Sequence, residues 1–294
     1  MKRNGLFIIL CVVVLAISSC TSNQNSTPAL SSYIKNEGSD TLVNLALAWA
    51  EQYQQENPKI QISVTGGGSG TGITALINGT IDIANASRAM TADEINTAKG
   101  TGFDPIQFVV ARDAIAVIVN PNNPVSSLTL KQISDIYKGL IKNWKELGGE
   151  DRPIVKLSRE SNSGTHVYFL ETVIRLGSKT DKSIFSPDTL LLPSSEGIIA
   201  EVSDNPNAIG YDGLGYVSPQ VKVIAVAKDA QSPAIIPSAE SVNAGTYPVS
   251  RDLYMYTRGQ PTGIIQVYLQ WIQGTEAQQI VTQLGFVPIV GGGK

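Results

Sequence analysis

The chain has 294 residues, with 25 acidic against 22 basic side chains and a formal charge of −3. That balance argues against a nucleic-acid partner, which calls for a basic face, but leaves anion binding open, because backbone N–H and hydroxyl dipoles hold anions whatever the net charge. The two cysteines, Cys11 and Cys20, both lie near the amino end, so the rest of the chain carries neither a disulfide framework nor a cysteine-based metal site.

The chain opens with Met1-Lys2-Arg3, continues as an apolar run from Leu6 to Ile17 that is short for a membrane span, and reaches Ile17-Ser18-Ser19-Cys20. This order reads as a signal peptide over residues 1–19. Its ending resembles a bacterial lipobox, which implies cleavage before Cys20 and a diacylglycerol thioether on the Cys20 sulfur. The protein would then be lipid-anchored to the cell membrane on its extracytoplasmic side; a plain signal peptide or an uncleaved anchor is the alternative. Cleavage removes Lys2 and Arg3 and no acid, taking the charge from −3 to −5. Residues 20–32, rich in Ser, Asn, Thr, Gln and Pro, read as a flexible tether. About 260 residues remain, which suits two lobes better than one core.

Strand-like and helix-like stretches then alternate. Leu42, Leu45, Ala46, Trp49 and Tyr53 mark one face of a helix that Asn57-Pro58 ends. Ile60, Ile62 and Val64 alternate as a strand, Ile73 to Asn78 reads as a short helix closed by Gly79, and Ile81 to Ala84 as the next strand. Thr91-Ala92-Asp93-Glu94 is a capping-box signature. Two nearly continuous apolar runs, Ile106 to Ala111 and Ala114 to Val119, have the character of buried strands. Thr129 caps a helix carrying Ile133, Ile136 and Tyr137; Ile154 to Leu157 is a strand and Val167 to Arg175 a helix. Ser195 to Val202 reads as a helix, Val221 to Ala227 and Leu253 to Tyr256 as strands, and Ile264, Ile265, Tyr268, Trp271 and Ile272 as one face of a late helix. The alternation predicts an α/β fold with ligands at the strand carboxyl ends.

Three segments fall at such ends: Gly38-Ser39-Asp40-Thr41, Gly66 to Gly72, and Ser158 to Thr165. Each sets glycine and small hydroxyl residues between a strand and a helix start, where free N–H groups and the helix dipole favour an anion. The glycine segment lacks the Lys-Ser/Thr ending of a nucleotide loop, with Ile73 where the lysine would stand. Arg88 and Arg159 each follow a strand closely. A guanidinium there can fork across two oxygens of a tetrahedral anion; surface pairing with Glu160 or Asp93 is the alternative.

The run from Gly38 to Glu94, with Gly38-Ser39-Asp40-Thr41, Gly68-Ser69-Gly70-Thr71-Gly72 and Asp82 to Arg88, together with Arg159 to Thr165 and Ala208-Ile209-Gly210-Tyr211, resembles the PstS family of phosphate-binding lipoproteins. The resemblance covers nearly the whole mature chain. It implies a type II periplasmic-binding-protein fold: two α/β lobes, each a mostly parallel sheet flanked by helices, joined by two crossing strands and closing on one inorganic phosphate. Lobe 1 would be residues 33–112 plus 250–294 and lobe 2 residues 113–249, with the crossings near Arg112-Asp113 and Val249-Ser250. The closed form would dock on the membrane permease of a phosphate ABC importer, and a monomer is expected.

Carried over position by position, the family's ligand contacts fall on Ser39, Asp40, Thr41, Ser69, Ser87 and Arg88 from one lobe, and on Arg159, Ser163, Gly164 and Thr165 from the other. The best-studied branch of the family has an aspartate, the acceptor of the phosphate proton, where this chain has Arg88. Asp40 is the candidate replacement, with capping of the following helix as its structural alternative. Asp82 and the single histidine, His166, are expected to be structural. No catalytic residue, cofactor or metal is expected, since no nucleophile with a base behind it and no ligand cluster is evident. The competing readings are a binder of another tetrahedral oxyanion such as sulfate, molybdate or tungstate, a phosphate-ester hydrolase, and a scaffold that has lost transport.

Overall fold

Residues 32–289 are described by the computed structural model. The signal segment, Cys20 and the tether as far as residue 31 lie outside the described residues, as do residues 290–294.

The amino-terminal half is built from strand–helix units. β1 (Tyr33–Gly38), β2 (Gln61–Thr65) and β3 (Ile83–Ala86) are parallel, with β1 between the others. They lead into α1 (Asp40–Glu56), α2 (Ser69–Ile77) and α3 (Ala92–Gly100), so the helix starts gather at one edge of the sheet. α1 buries Leu42, Leu45, Ala46, Trp49 and Tyr53 along one stripe. It stops at Asn57, because Pro58 disfavours helix at the residue before it and offers no N–H. Thr91 and Glu94 close the expected capping box on α3.

β4 (Pro105–Val119) is a single 15-residue strand where the sequence suggested two runs. Arg112 and Asp113 interrupt the apolar pattern but not the backbone ladder, which continues across them. The chain proceeds through β5 (Ser127–Thr129), α4 (Leu130–Tyr137), a 3-10 turn at Trp144–Leu147 and β6 (Val155–Arg159). α5 (Gly164–Phe169) starts three residues before the expected helix, because Ser163 caps it, and widens into a π turn at Leu170–Ile174. Then come β7 (Leu190–Leu192), α6 (Ser195–Asp204), β8 (Ala208–Gly213), a 3-10 turn at Leu214–Tyr216, β9 (Lys222–Ala227), β10 (Ala234–Ile235) and α7 (Ala239–Asn243). β11 (Ser250–Arg258), α8 (Gly263–Ile272) and α9 (Thr275–Gln283) follow.

The sheet runs β2-β1-β3-β11-β4-β8-β6-β7, with β9 beside β4 and carrying β5 and β10. Pairing is parallel among β1, β2 and β3 and among β6, β7 and β8, and antiparallel where β11 and β4 join the two groups. One apolar cluster holds Ile34, Leu42, Trp49, Val110, Ala111, Leu253 and Tyr268, and Trp49 Nε1 donates to Ala277 O at 2.8 Å to fix α1 against α9. Another holds Ile115, Val117, Ile133, Tyr137, Phe169, Tyr211 and Val249. Between Ala111 and Ala114 on β4, and between Val249 and Leu253 at β11, the buried residues include Asp113 and Arg251 instead.

Candidate functional site

The three hydroxyl-and-glycine segments meet. Ser39 precedes α1, Ser69 opens α2, and Ser163 precedes α5, where its Oγ accepts from Thr165 N at 3.2 Å. Ser39, Thr41, Ser69, Ser87, Ser163 and Thr165 are all buried. Thr41 Oγ1 lies 2.8 Å from Thr165 Oγ1 although 124 residues separate them. Ser69 Oγ accepts from Ser87 N at 3.0 Å and stands 3.2 Å from Ser87 Oγ.

Glycine makes this convergence possible at two points. A Cβ on Gly164 would lie 2.5 Å from Ser87 Oγ and nearer still to Ser69 Oγ. Gly68, at φ +92°, would set a Cβ 2.8 Å from Asn162 O, so both its conformation and its clearance exclude other residues. Asn162 ties the two loops together: its Nδ2 donates to Gly67 O at 2.8 Å and its carbonyl accepts from Gly70 N at 3.1 Å.

Arg159 enters from the end of β6 with its side chain almost wholly buried. Its Nη2 donates to Asp40 Oδ2 and Pro193 O, both at 2.8 Å, and its Nη1 to Ser195 Oγ at 2.8 Å, with Asp212 Oδ2 at 3.7 Å. Its Nε has no partner among the described residues, leaving a buried donor that an anion would satisfy. Asp40 spans the arrangement, since its Oδ1 accepts from Gly67 N at 2.9 Å. Ser39 holds the N-cap position, so Asp40 caps the glycine loop and not its own helix. Burial pushes the Asp212 carboxyl up to about 6 against the pull of Arg159 and of the Gly213 N–H.

Arg88 lies at the rim. Both its Nη atoms bind Glu94, at 2.8 and 2.7 Å, and Nη1 also reaches Ala89 O. Its partner is therefore neither Glu160 nor Asp93. Burial raises the Glu94 carboxyl, but the Arg88 hydrogen bond and charge and the Thr91 N–H outweigh it and leave the group below its ordinary value. The guanidinium still borders the glycine loop, 3.9 Å from where a Cβ on Gly70 would be.

Sequence reasoning missed a second buried ion pair in the same place. Arg251 on β11 stands opposite Asp113 on β4, and its Nη2 donates to Asp113 Oδ2 at 3.0 Å and to Thr165 Oγ1 at 2.9 Å. Burial pushes the Asp113 carboxyl up, with the Arg251 charge opposing it. The available signal was an acid set between two apolar runs, with an arginine two residues before the apolar run of the returning strand. Asp82 accepts from Lys35 N at 2.8 Å, and His166 stacks on Phe185 with its Nδ1 donating to Arg159 O at 2.9 Å. Burial lowers the His166 pKa. Both side chains are thus engaged in hydrogen bonds to the backbone. Among the described residues there is no cluster of His, Cys, Asp and Glu fit to hold a metal ion, and no helix is long and apolar enough to cross a membrane.

Buried neutral donors from several helix starts, with two buried arginines beside them, suit a small oxyanion. A family model described as a PBP superfamily domain matches residues 23–276. The chain is 31% identical to the phosphate-binding protein PstS of Pseudomonas aeruginosa, with 98% of this chain and 96% of that one covered. It is 30% identical to PstS of Bacillus subtilis, with 98% and 95% covered. Among solved structures, a phosphate ABC transporter substrate-binding protein from Clostridium perfringens with bound phosphate superposes with a TM-score of 0.77 at 33% identity, over 87% of this chain and 99% of that one. An ABC-type phosphate transport receptor from Vibrio cholerae gives a TM-score of 0.69 at 30% identity, over 87% and 100%.

Proposed function

The chain belongs to the PstS phosphate-binding family within the PBP superfamily, and on that footing we propose that the buried hydroxyl cluster takes up inorganic phosphate for a phosphate ABC importer. The observation that carries this reading is the meeting of Ser69 and Ser87 with Gly164, and of Thr41 with Thr165, beside a buried Arg159. Ser39, Thr41, Ser69, Ser87, Ser163, Gly164 and Thr165 supply neutral donors, and Arg159 the fixed charge. Asp40, already held by Gly67 and Arg159, keeps unused lone pairs that can accept a phosphate proton. Arg88 contributes field and a remaining N–H, because Glu94 occupies its fork.

The protein is a binding receptor and not an enzyme, as are the relatives it matches. We assign residues 33–112 plus 250–294 to one lobe and 113–249 to the other, hinged where β4 and β11 cross. Donors from both lobes complete the anion's shell only on closure, so phosphate stabilises the closed form. The closed form then docks on the permease as a monomer. A lipid on Cys20 keeps the receptor extracytoplasmic and raises its effective concentration at that encounter. A ligand that binds only the folded form raises the unfolding temperature by mass action. Phosphate is therefore expected to raise it in a thermal-unfolding series with phosphate, sulfate, molybdate and tungstate, and a larger shift with one of the others would reassign the site.

A further inference from the structure

We propose that Arg251 is a positioning residue that biases the Thr41 and Thr165 hydroxyls towards donating, so that this corner favours an unprotonated oxygen of the anion over its P–OH; the proposal rests on the phosphate reading above. Arg251 faces Asp113 in register across the β4–β11 ladder, and its side chain is 2% exposed. Its Nη1 donates to Ser87 O at 2.9 Å, and its Nη2 to Asp113 Oδ2 at 3.0 Å and Thr165 Oγ1 at 2.9 Å, with Thr41 Oγ1 at 3.4 Å. One guanidinium thus touches loops on both sides of the crossing and the crossing strands themselves.

Proton counting gives the consequence. Thr41 and Thr165 own two hydroxyl protons, and the 2.8 Å contact between their oxygens uses one. Guanidinium donates and never accepts, so Arg251 takes up a lone pair on Thr165 Oγ1 and, more weakly, on Thr41 Oγ1. Whichever threonine donates to the other, one O–H is left without an acceptor among the described residues. With Arg251 in place most of the lone pairs on these two oxygens are taken, so the corner favours an unprotonated ligand oxygen over a P–OH.

The titratable groups against Arg251 are Asp113 on β4 and Tyr168 on α5, whose ring lies 5.6 Å from the guanidinium carbon; Asp252, next on its own strand, acts on Tyr168, and Asp113 acts on Asp212 of β8. Burial raises Tyr168 and Asp113, and of these groups Asp212 is the one placed at about 6. Sulfate carries no titrating proton near neutrality, so sulfate competition at each pH reports the protein's own titration.

The test is titration calorimetry of the full chain with inorganic phosphate at about pH 5.5 and about pH 8.5. It compares wild type with Arg251→Gln, Arg251→Lys and the double variant Arg251→Gln/Asp113→Asn. The double variant leaves no unpaired buried charge and keeps the measurement open if the single variant fails to fold. In the double variant the ratio of affinity at low pH to affinity at high pH is expected to rise about tenfold over wild type. Arg251→Lys, which keeps the charge but not the fork, is expected to follow it. A ratio unchanged in the double variant, or fully restored by lysine, would overturn the proposal. A wild type that binds no phosphate would instead remove the phosphate reading itself.

Discussion

Arg159 holds a full positive charge at a position almost closed to solvent, and it is affordable there because Asp40, Ser195 and Pro193 O each take one of its N–H groups. Asp40 in turn joins that charge to the glycine loop. If Asp40 receives the ligand proton, Asp40→Asn should cost about tenfold in the preference for phosphate over sulfate by titration calorimetry, whereas an unchanged preference sinks the assignment. Asp212 carries a separate, pH-dependent cost. Its carboxyl is raised from an ordinary 3.8 to about 6 by burial, so the folded state binds more protons between those values and stability falls as pH rises through them. Asp212→Asn removes that ionisation. Its unfolding free energy relative to wild type should therefore improve by on the order of 2 kcal/mol between about pH 4 and pH 7.5 in denaturant titrations, and a flat difference would contradict the sign. The hydroxyl and glycine positions of the site were readable in sequence because their residue types carry the chemistry. Arg251 and Asp113 were not, because a lone charge on a strand reads as a solvated face until its register partner is known.

At the scale of elements, capping chemistry was the dependable sequence signal. Thr91 and Thr129 both close capping boxes, on α3 and α4, since local spacing alone decides that geometry. Long-range pairing was not visible in sequence. β4 is one strand because β11 pairs with it straight through Arg112 and Asp113. The short β5, β7 and β10 exist only as partners of β9 and β6. The loop carrying Asn162 also gains its meaning from its neighbour, since Gly67 and Gly68 at φ +116° and +92° lie against it. Asn162 clasps the facing loop, so Asn162→Ala should raise the phosphate dissociation rate about five- to tenfold in stopped-flow release, with little change in the association rate. An unchanged dissociation rate would show that the clasp does not hold the site shut.

For the whole molecule, the continuous sheet and the change of apolar cluster at Arg112-Asp113 and near Arg251 put a polar, charge-paired seam where the two long strands cross. The buried hydroxyl cluster borders that seam, which on the proposed reading would make binding and hinge closure one event. Composition and element order foretold the α/β class, and the order of motifs foretold the family. The way α1, α2 and α5 bring their first turns together required the folded chain. The most direct measurement is titration calorimetry of the full chain with phosphate and with sulfate, on wild type and Arg159→Met. One phosphate per chain, a preference over sulfate of at least about a hundredfold, and a loss of at least about a hundredfold in phosphate affinity in the variant are predicted. Sulfate binding as tight as phosphate, or phosphate binding that survives loss of Arg159, would contradict the account.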